Sequence, residues 1–485
     1  MAALPSTQPG RDVDADVLDV NIEDSVVQKL AENDSKFAFL SSEAKAATDA
    51  EHAMTLRQAL KSHPKAVLWS IFFSTAVAME GYDLVLISAF YAVPTFQKKY
   101  GKLTKKPGKY EIPAPWQAGL SNGARVGEIL GLLLNGYICE RFGFKKTMIG
   151  MLCLLTGLIF IVFFAPNIGT LVAGEVLMGV PWGAFQTLTT VWLIRKGRDD
   201  DARKSLRRLN TTGTDASLDD TISMMRHTNE VEKELDHGSS YVDCFRGVNL
   251  RRTEITCIVW VIQAASGASL TGYAAYFFVQ AGLPTTISFD FSITLYAVAM
   301  IGVVISWYAM SKLGRRTIYL CGLSAQFTVL LVIGFISLAH NNAASYATGS
   351  LLLLFTLCYD IAVGTVAYSI VAEIPSSRLR TKTTVLARAF YNCQGLINGV
   401  ITPYMLNPTK WNWKGKAGFF WAGTSFLCLT WVYFRLPEPK GRTYGELDIL
   451  FEQKVSARKF AKAKVDPFNI SHPMSELVDV EEKRE

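Results

Sequence analysis

Residues 147–165 read TMIGMLCLLTGLIFIVFFA, a stretch with no charged side chain. Its length is close to the about 20 apolar residues that a helix needs to cross a bilayer's hydrocarbon core. The rest of the chain has the same character. Of 485 residues, 50% are hydrophobic and 12% aromatic, and the mean hydropathy is positive. That balance leaves more apolar surface than a soluble fold of this size buries, so the excess must face lipid.

The same window, moved along the chain, predicts ten helices: 66–94, 117–138, 147–165, 169–194, 254–280, 289–311, 316–338, 347–371, 383–406 and 416–435. The fold class expected is therefore an all-α polytopic membrane protein. An even number of spans puts both termini on one side. Residues 195–252 carry twelve Lys or Arg, and the positive-inside rule places that segment, with both termini, in the cytosol. The stretch QKKYGKLTKKPGKY (97–110) opposes this assignment, since it is lysine-rich and falls outside. The resulting division is a disordered cytoplasmic tail (1–62), an N-terminal bundle of four spans (63–194), a cytoplasmic central loop with amphipathic helices (195–252), a C-terminal six-helix bundle (253–436) and a cytoplasmic tail (437–485). The first 60 residues lack the basic start and apolar core of a cleaved signal peptide.

Several function classes are excluded at this level. The net charge of +7 resides in loops, which suits contact with anionic lipid and argues against nucleic acid. The eight cysteines have no regular spacing, so neither a disulfide framework nor a zinc site is expected. There is no Gly-x-Ser-x-Gly elbow and no phosphate-binding Gly-x4-Gly-Lys loop. We expect no enzyme, no metal and no cofactor.

A repeat sits inside the spans. Glu140-Arg141-Phe142-Gly143-Phe144-Lys145 follows the second span, and Ser311-Lys312-Leu313-Gly314-Arg315-Arg316 follows the sixth. Glycine permits a tight reversal, and the cations hold each hairpin in the cytosol and cap helix C-termini. Matched hairpins of duplicated six-helix halves stand six spans apart, whereas these stand four apart. Two helices are missing, and the break lies near Val191, where FQTLTTV runs directly into WLIRKGRDDDARKSL.

Four segments carry a family resemblance: YVDCFRGVNLRRTEI (241–255), GYAAYFFVQAGL (272–283), YSIVAEIPSSRLRTKTTVLARAFYN (368–392) and PEPKGRTYGELDILF (437–451). In this order they closely resemble fungal maltose and general α-glucoside permeases, sugar porters of the major facilitator superfamily. The resemblance implies the major facilitator fold, with twelve helices in the family against about ten here. It further implies a central site exposed alternately to each side of a plasma membrane. Its implied activity is proton-coupled transport of a maltose-like α-glucoside, with sugar and protons as partners and the proton gradient as energy source.

The same resemblance assigns residues. Glu80 and Asp83 lie three apart on one face of an apolar helix, where carboxylates usually face a cavity. By analogy with the Gly-Tyr-Asp motif of sugar porters, Asp83 is the proton site and Glu80 its companion. Glu175 stands where many sugar porters have arginine, so the usual cationic partner of that acid is absent. Arg388 is one substitute cation, unless it snorkels to lipid headgroups. Arg125 and Glu128 are spaced to neutralise each other. Asp360 is read either as lining the cavity or as bonding a neighbouring helix.

For the sugar, Gln263, Ser266 and Gly267 match a sugar-porter amide signature in which Ser269 replaces asparagine. A neutral amide suits sugar hydroxyls. Tyr273, Tyr276, Tyr368 and Asn392 could add stacking or hydrogen bonds, or simply pack. Glu373, Arg378 and Arg380 match ion pairs that close the cytosolic gate in the family, whose first-half counterpart is lost here; Glu140 and Arg141 of the first hairpin are further gate candidates. Two other readings stay open: an exporter of a glycosylated metabolite, and an inactive truncated sugar porter.

Overall fold

The computed structural model describes residues 64, 68, 79, 81–83, 85–104, 110–142, 144–185, 241–339, 341–376, 379–442, 444–461 and 463. Glu80, Arg378 and the predicted break near Val191 lie outside the described residues. The side chain of Glu140 does too.

The first span is helical over 81–83 and 85–90, and α1 (Pro94–Tyr100) follows. The lysine-rich stretch folds here in part as a small hairpin, β1 (Lys102–Leu103) pairing antiparallel with β2 (Tyr110–Glu111). Next come α2 (Ala114–Phe142), α3 (Phe144–Phe163) and α4 (Ile168–Phe185). After a 3-10 turn at Tyr241–Phe245 the second half contains α5 (Gly247–Ala265), α6 (Ser269–Gly272), α7 (Ala274–Ala281), α8 (Thr285–Lys312), α9 (Arg315–Ile336), α10 (Asn342–Ile361), α11 (Val363–Glu373), α12 (Arg380–Leu406), α13 (Ala417–Arg435) and α14 (Tyr444–Glu452).

Among the described residues, five helices are long and apolar enough to cross a bilayer: Lys146–Phe163, Thr285–Lys312, Arg315–Ile336, Asn342–Glu373 and Lys414–Arg435. Ile293, Met300, Val304 and Trp307 of α8 are exposed, the arrangement of a face turned to lipid. At 29 and 27 residues, α2 and α12 have the length as well. Their mean hydropathy is diluted by Asn122, Arg125, Glu128, Arg388 and Asn398, which face partner helices instead of lipid.

One sequence feature explains how α2 meets α4. Glycines recur every fourth residue at 119, 123, 127 and 131, making a side-chain-free stripe. A Cβ on Gly127 or Gly131 would run into the carbonyls of Val176 and Val180, so the two backbones touch. Close approach through small residues is how helices gain dispersion contacts where no water is expelled.

Two predicted single spans are broken. The 254–280 span stops at Ala265 and resumes at Ser269, because Gly267 adopts φ +102°, a left-handed conformation that interrupts the helix. The 347–371 span kinks at Ala362, which divides α10 from α11. Hydropathy windows see neither break, since each averages the few polar residues there with long apolar flanks.

The first break strands three carbonyls at the end of α5, and each finds a side chain from a different helix. Tyr359 Oη of α10 donates to Gln263 O at 3.2 Å, Asn398 Nδ2 of α12 to Ala264 O at 2.7 Å, and Thr424 Oγ1 of α13 to Ala265 O at 2.8 Å. Without water in the bilayer core, such bonds decide whether a broken helix is tolerated.

The hairpin Gly314 does not act as a reversal glycine. Its φ of −74° suits any residue, so the turn argument fails there. Its lack of a side chain instead admits Glu438, whose carboxylate accepts from Arg315 N at 2.8 Å and Arg316 N at 3.0 Å and so caps α9. An anion at a helix N-terminus satisfies orphan donors and complements the helix dipole.

Candidate functional site

At the hairpin end the halves are joined. Tyr91 at the end of the first span stacks on Tyr273 with ring centroids 6.2 Å apart and meets Tyr276 edge-on at 6.1 Å. Tyr276 Oη donates to Glu111 Oε1 at 2.7 Å, and Asn407 Nδ2 donates to Ile112 O at 2.9 Å. Ser88 Oγ donates to Gly272 O, tying the first span to the broken helix. Glu111 and Asn407 escaped the sequence reading because each lies outside the apolar windows. At the opposite end the buried apolar cluster comes from the second half alone among the described residues, and includes Phe451 and Phe460 packed beneath α5.

Between these ends lies a cavity of about 140 Å³. The first span contributes Val85 and Ser88, α2 contributes Ser121 and Arg125, and the broken helix contributes Gln263, Ser269 and Tyr273. Tyr359, Tyr391 and Asn398 close it from the second half. Three of the predicted sugar contacts, Gln263, Ser269 and Tyr273, are thus brought together. Ser121, Tyr391 and Asn398 were missed; their sole sequence signal was a polar group inside a span. At about 140 Å³ the cavity is smaller than ligand pockets generally are, which begin near about 300 Å³.

Gln263 does two things. It lines the cavity, and its Nε2 donates to Gly364 O at 2.6 Å, satisfying a carbonyl beside the α10–α11 break. The amide therefore holds both broken helices in register.

Other predicted residues lie elsewhere. Tyr368 is 56% exposed and sits edge-on to Trp260 at 5.9 Å, away from the cavity. Ser266 and Asn392 are buried, with Ser266 Oγ and Asn392 Nδ2 unbonded, and neither lines it. Asp360 stands at the α10–α11 kink against Gly302 of α8, with its backbone oxygen accepting from Thr365 Oγ1 at 2.6 Å. Asp360 is not among the residues that line the cavity.

The charges pair differently from the sequence expectation. Arg125 and Glu128 do not neutralise each other. Arg125 Nη1 donates to Ser121 O at 3.0 Å and packs on Gly395 and Gly399 of α12, while Glu128 Oε1 pairs with Arg388 Nη2 at 3.1 Å. Arg388 points inward over Tyr391 at 4.8 Å, so it does not snorkel. The intervening α2–α12 packing, invisible to helix periodicity, selects the long-range partner. Asp83 of the first span and Glu175 of α4 each keep a buried carboxyl oxygen, Oδ2 and Oε1, without a hydrogen-bond partner.

Of the gate residues, Glu373 Oε1 pairs with Arg315 Nη2 at 2.9 Å, a partner supplied by the second hairpin. Arg141 is exposed with its guanidinium 5.7 Å from the Phe142 ring centroid, and Arg380 is half-buried at the start of α12.

Two sets of membrane-spanning helices meeting around a small polar cavity, with broken helices at its wall, define a polytopic membrane carrier. Comparison with known proteins agrees. The family model described as "Sugar (and other) transporter" matches residues 69–193 and 188–451, and the chain belongs to that family. It is 39% identical to a general alpha-glucoside permease of Saccharomyces cerevisiae, covering 88% of this chain and 82% of the permease. It is 35% identical to a maltose permease of the same yeast, covering 91% and 85%.

Solved structures of the major facilitator superfamily proton:xylose symporter XylE share the fold. The sugar-analogue complex has a TM-score of 0.56 at 14% identity, covering 77% of this chain and 99% of that one. The inward-open form has a TM-score of 0.54.

The family match falls into two blocks that abut at 188–193, around Val191. The alignment with the general alpha-glucoside permease is 503 positions long, more than the 485 residues of the entire chain. The relatives therefore carry residues that this chain lacks.

Proposed function

We propose that this protein is a plasma-membrane carrier that imports maltose-like α-glucosides together with protons, by alternating access between its two halves, with both termini in the cytosol. The observation that carries the substrate class is the 39% identity to a general alpha-glucoside permease over most of both chains. The cavity chemistry supports it: hydroxyls and neutral amides from Ser88, Ser121, Gln263, Ser269 and Asn398 suit sugar hydroxyls, and Tyr273 and Tyr391 suit a pyranose face. Asp83, with Glu80, is the proposed proton site, and the proton gradient is the energy source without a bound cofactor.

Uptake of labelled maltose into cells without their own α-glucoside carriers tests this reading. Uptake abolished by a protonophore and by Asp83→Asn is the expected result. Protonophore-resistant uptake overturns the coupling, and efflux of a glucoside in place of uptake overturns the direction.

A second reading is favoured by the two-block family match: a sugar porter whose first bundle is incomplete and which does not transport. A membrane-inserted, folded chain with no uptake of any α-glucoside supports that reading.

A further inference from the structure

The two halves differ in one packing contact. α3 and α9 are counterparts, since each follows a copy of the repeated hairpin, and the first span and α5 open their respective halves. In the second half α13 lies along α9, with ring centroids 5.1 Å apart for Phe335 and Phe419 and 5.5 Å apart for Phe327 and Phe426. It also meets α5, where Thr424 Oγ1 donates to Ala265 O and Trp431 Nε1 to Glu254 Oε1 at 3.3 Å. The described residues hold no first-half counterpart of α13, and the relatives carry residues that this chain lacks. The place such a helix would take, against α3 and the first span, is a groove of about 490 Å³.

The groove has the character of an amphiphile site. Leu86 and Phe90 of the first span, Ile159 and Phe163 of α3, and Leu171 and Met178 of α4 wall it. Phe163 is 74% exposed and Ile159 is exposed too, so the wall opens toward lipid. Its volume falls in the range of about 300–1,000 Å³ that small-molecule pockets occupy. Polar groups gather at one end, where Thr95, Lys99 and Tyr100 line the mouth beside the end of α3. Lys99 Nζ donates to Ala165 O at 3.3 Å, and Tyr100 Oη to the same oxygen at 2.8 Å. Lys99 is exposed and has no acidic partner among the described residues, and the exposed Lys98 and Lys102 stand beside it. Tyrosine and lysine at the end of an apolar stretch mark the headgroup level of a bilayer. The remaining polar side chain, Asp83, lines the groove on the turn before Leu86, away from α1 along the first span. The charge at the mouth also selects the occupant. A second copy docking through this same face would set lysines against lysines, whereas a phosphate complements them.

We propose that this groove binds one anionic phospholipid, its acyl chain lying between the first span and α3 in the place of a helix and its phosphate on Lys99 and Thr95. The acyl chain supplies the dispersion contacts that α13 supplies to α9, and the ammonium and hydroxyl donors meet the phosphate oxygens. The lipid thereby completes the apolar packing of the first bundle. The proposal is independent of transport activity.

Native mass spectrometry of the purified, delipidated full chain, titrated with phosphatidylglycerol or with phosphatidylcholine of the same acyl chains, tests this. One tightly held phosphatidylglycerol is expected, with phosphatidylcholine bound more weakly. Lys99→Gln should lower the phosphatidylglycerol affinity about fivefold, the weight of one lysine at an anionic headgroup, and narrow the gap between the two lipids. This variant carries the test by itself, because Tyr100 still serves Ala165 O and the chain stays folded. Ile159→Trp, which fills the groove from an exposed position, should weaken both lipids, while Ile293→Trp on the exposed face of α8 should weaken neither. Size-exclusion profiles confirm that each variant is folded. Equal phosphatidylglycerol binding by the wild type and Lys99→Gln overturns the proposal. A dimer that Ile159→Trp dissociates overturns it too and assigns the groove to a second copy.

Discussion

Glu128 in the second span and Arg388 in α12 form an ion pair at 3.1 Å that joins the two halves, 260 residues apart in sequence. Glu128 is nearly inaccessible and Arg388 largely so, their side chains 4% and 19% exposed. Removing one member of such a pair strands the other charge, which generally costs about 3–5 kcal/mol. Glu128→Gln and Arg388→Gln should each lower the thermal unfolding temperature in detergent. The double variant, which leaves no uncompensated charge, should regain most of that loss.

Asn398 both lines the cavity and satisfies Ala264 O at the end of α5. Asn398→Ala leaves a buried carbonyl unpaired, a change worth about 1–3 kcal/mol. We expect lower stability together with a raised KM for sugar uptake. Thr424→Val, whose hydroxyl serves Ala265 O outside the cavity lining, should affect stability alone.

Gly314→Ala should displace the Glu438 carboxylate from the start of α9 and weaken that end of the bundle by about 1 kcal/mol. Hydrogen exchange at the first α9 amides should accelerate in Gly314→Ala and in Glu438→Ala alike. Combining the two should add little, because they remove the same cap.

Gly127→Ala introduces a methyl group where α2 touches the Val176 carbonyl. Overpacking of this kind costs about 1–3 kcal/mol. The variant should be less stable than Gly157→Ala, a position on α3 with open space around it, as compared by thermal unfolding in detergent.

Cys244, in the 3-10 turn ahead of α5, gives a pH-dependent readout outside the spans. Burial pushes its thiol up, opposed in part by Thr383, whose hydroxyl lies 3.8 Å from Sγ. The thiolate is the reactive form, so alkylation of Cys244 in the folded chain should be slower near neutrality than in the denatured chain. The rate should climb as pH passes the ordinary thiol range. Alkylation followed by peptide mass analysis resolves it from the other cysteines.

Much of the architecture was legible in the residues. The charge-free run at 147–165 announced a membrane protein, and the motifs at 241–255, 272–283, 368–392 and 437–451 pointed to the family that the comparisons bear out. The discontinuity near Val191 was legible too, and the family match divides there. The site was less so. Gln263, Ser269 and Tyr273 do share a cavity, but Tyr368, Ser266, Asn392 and Asp360 lie off it. Polar residue type alone does not say whether a side chain faces a cavity, a neighbouring helix or its own backbone.

Lipid exposure is a local property, since each span must by itself supply enough apolar length to replace water with hydrocarbon. The sequence alone therefore determined the class of protein. Partnership inside the bundle is not local. Glu128 chose Arg388 over the nearer Arg125, and the α5 carbonyls chose Tyr359, Asn398 and Thr424, because helix packing brought those groups within 3.2 Å. In a medium without water every stranded charge and carbonyl must be satisfied by whatever the folded neighbours present, and only the tertiary structure decides which those are.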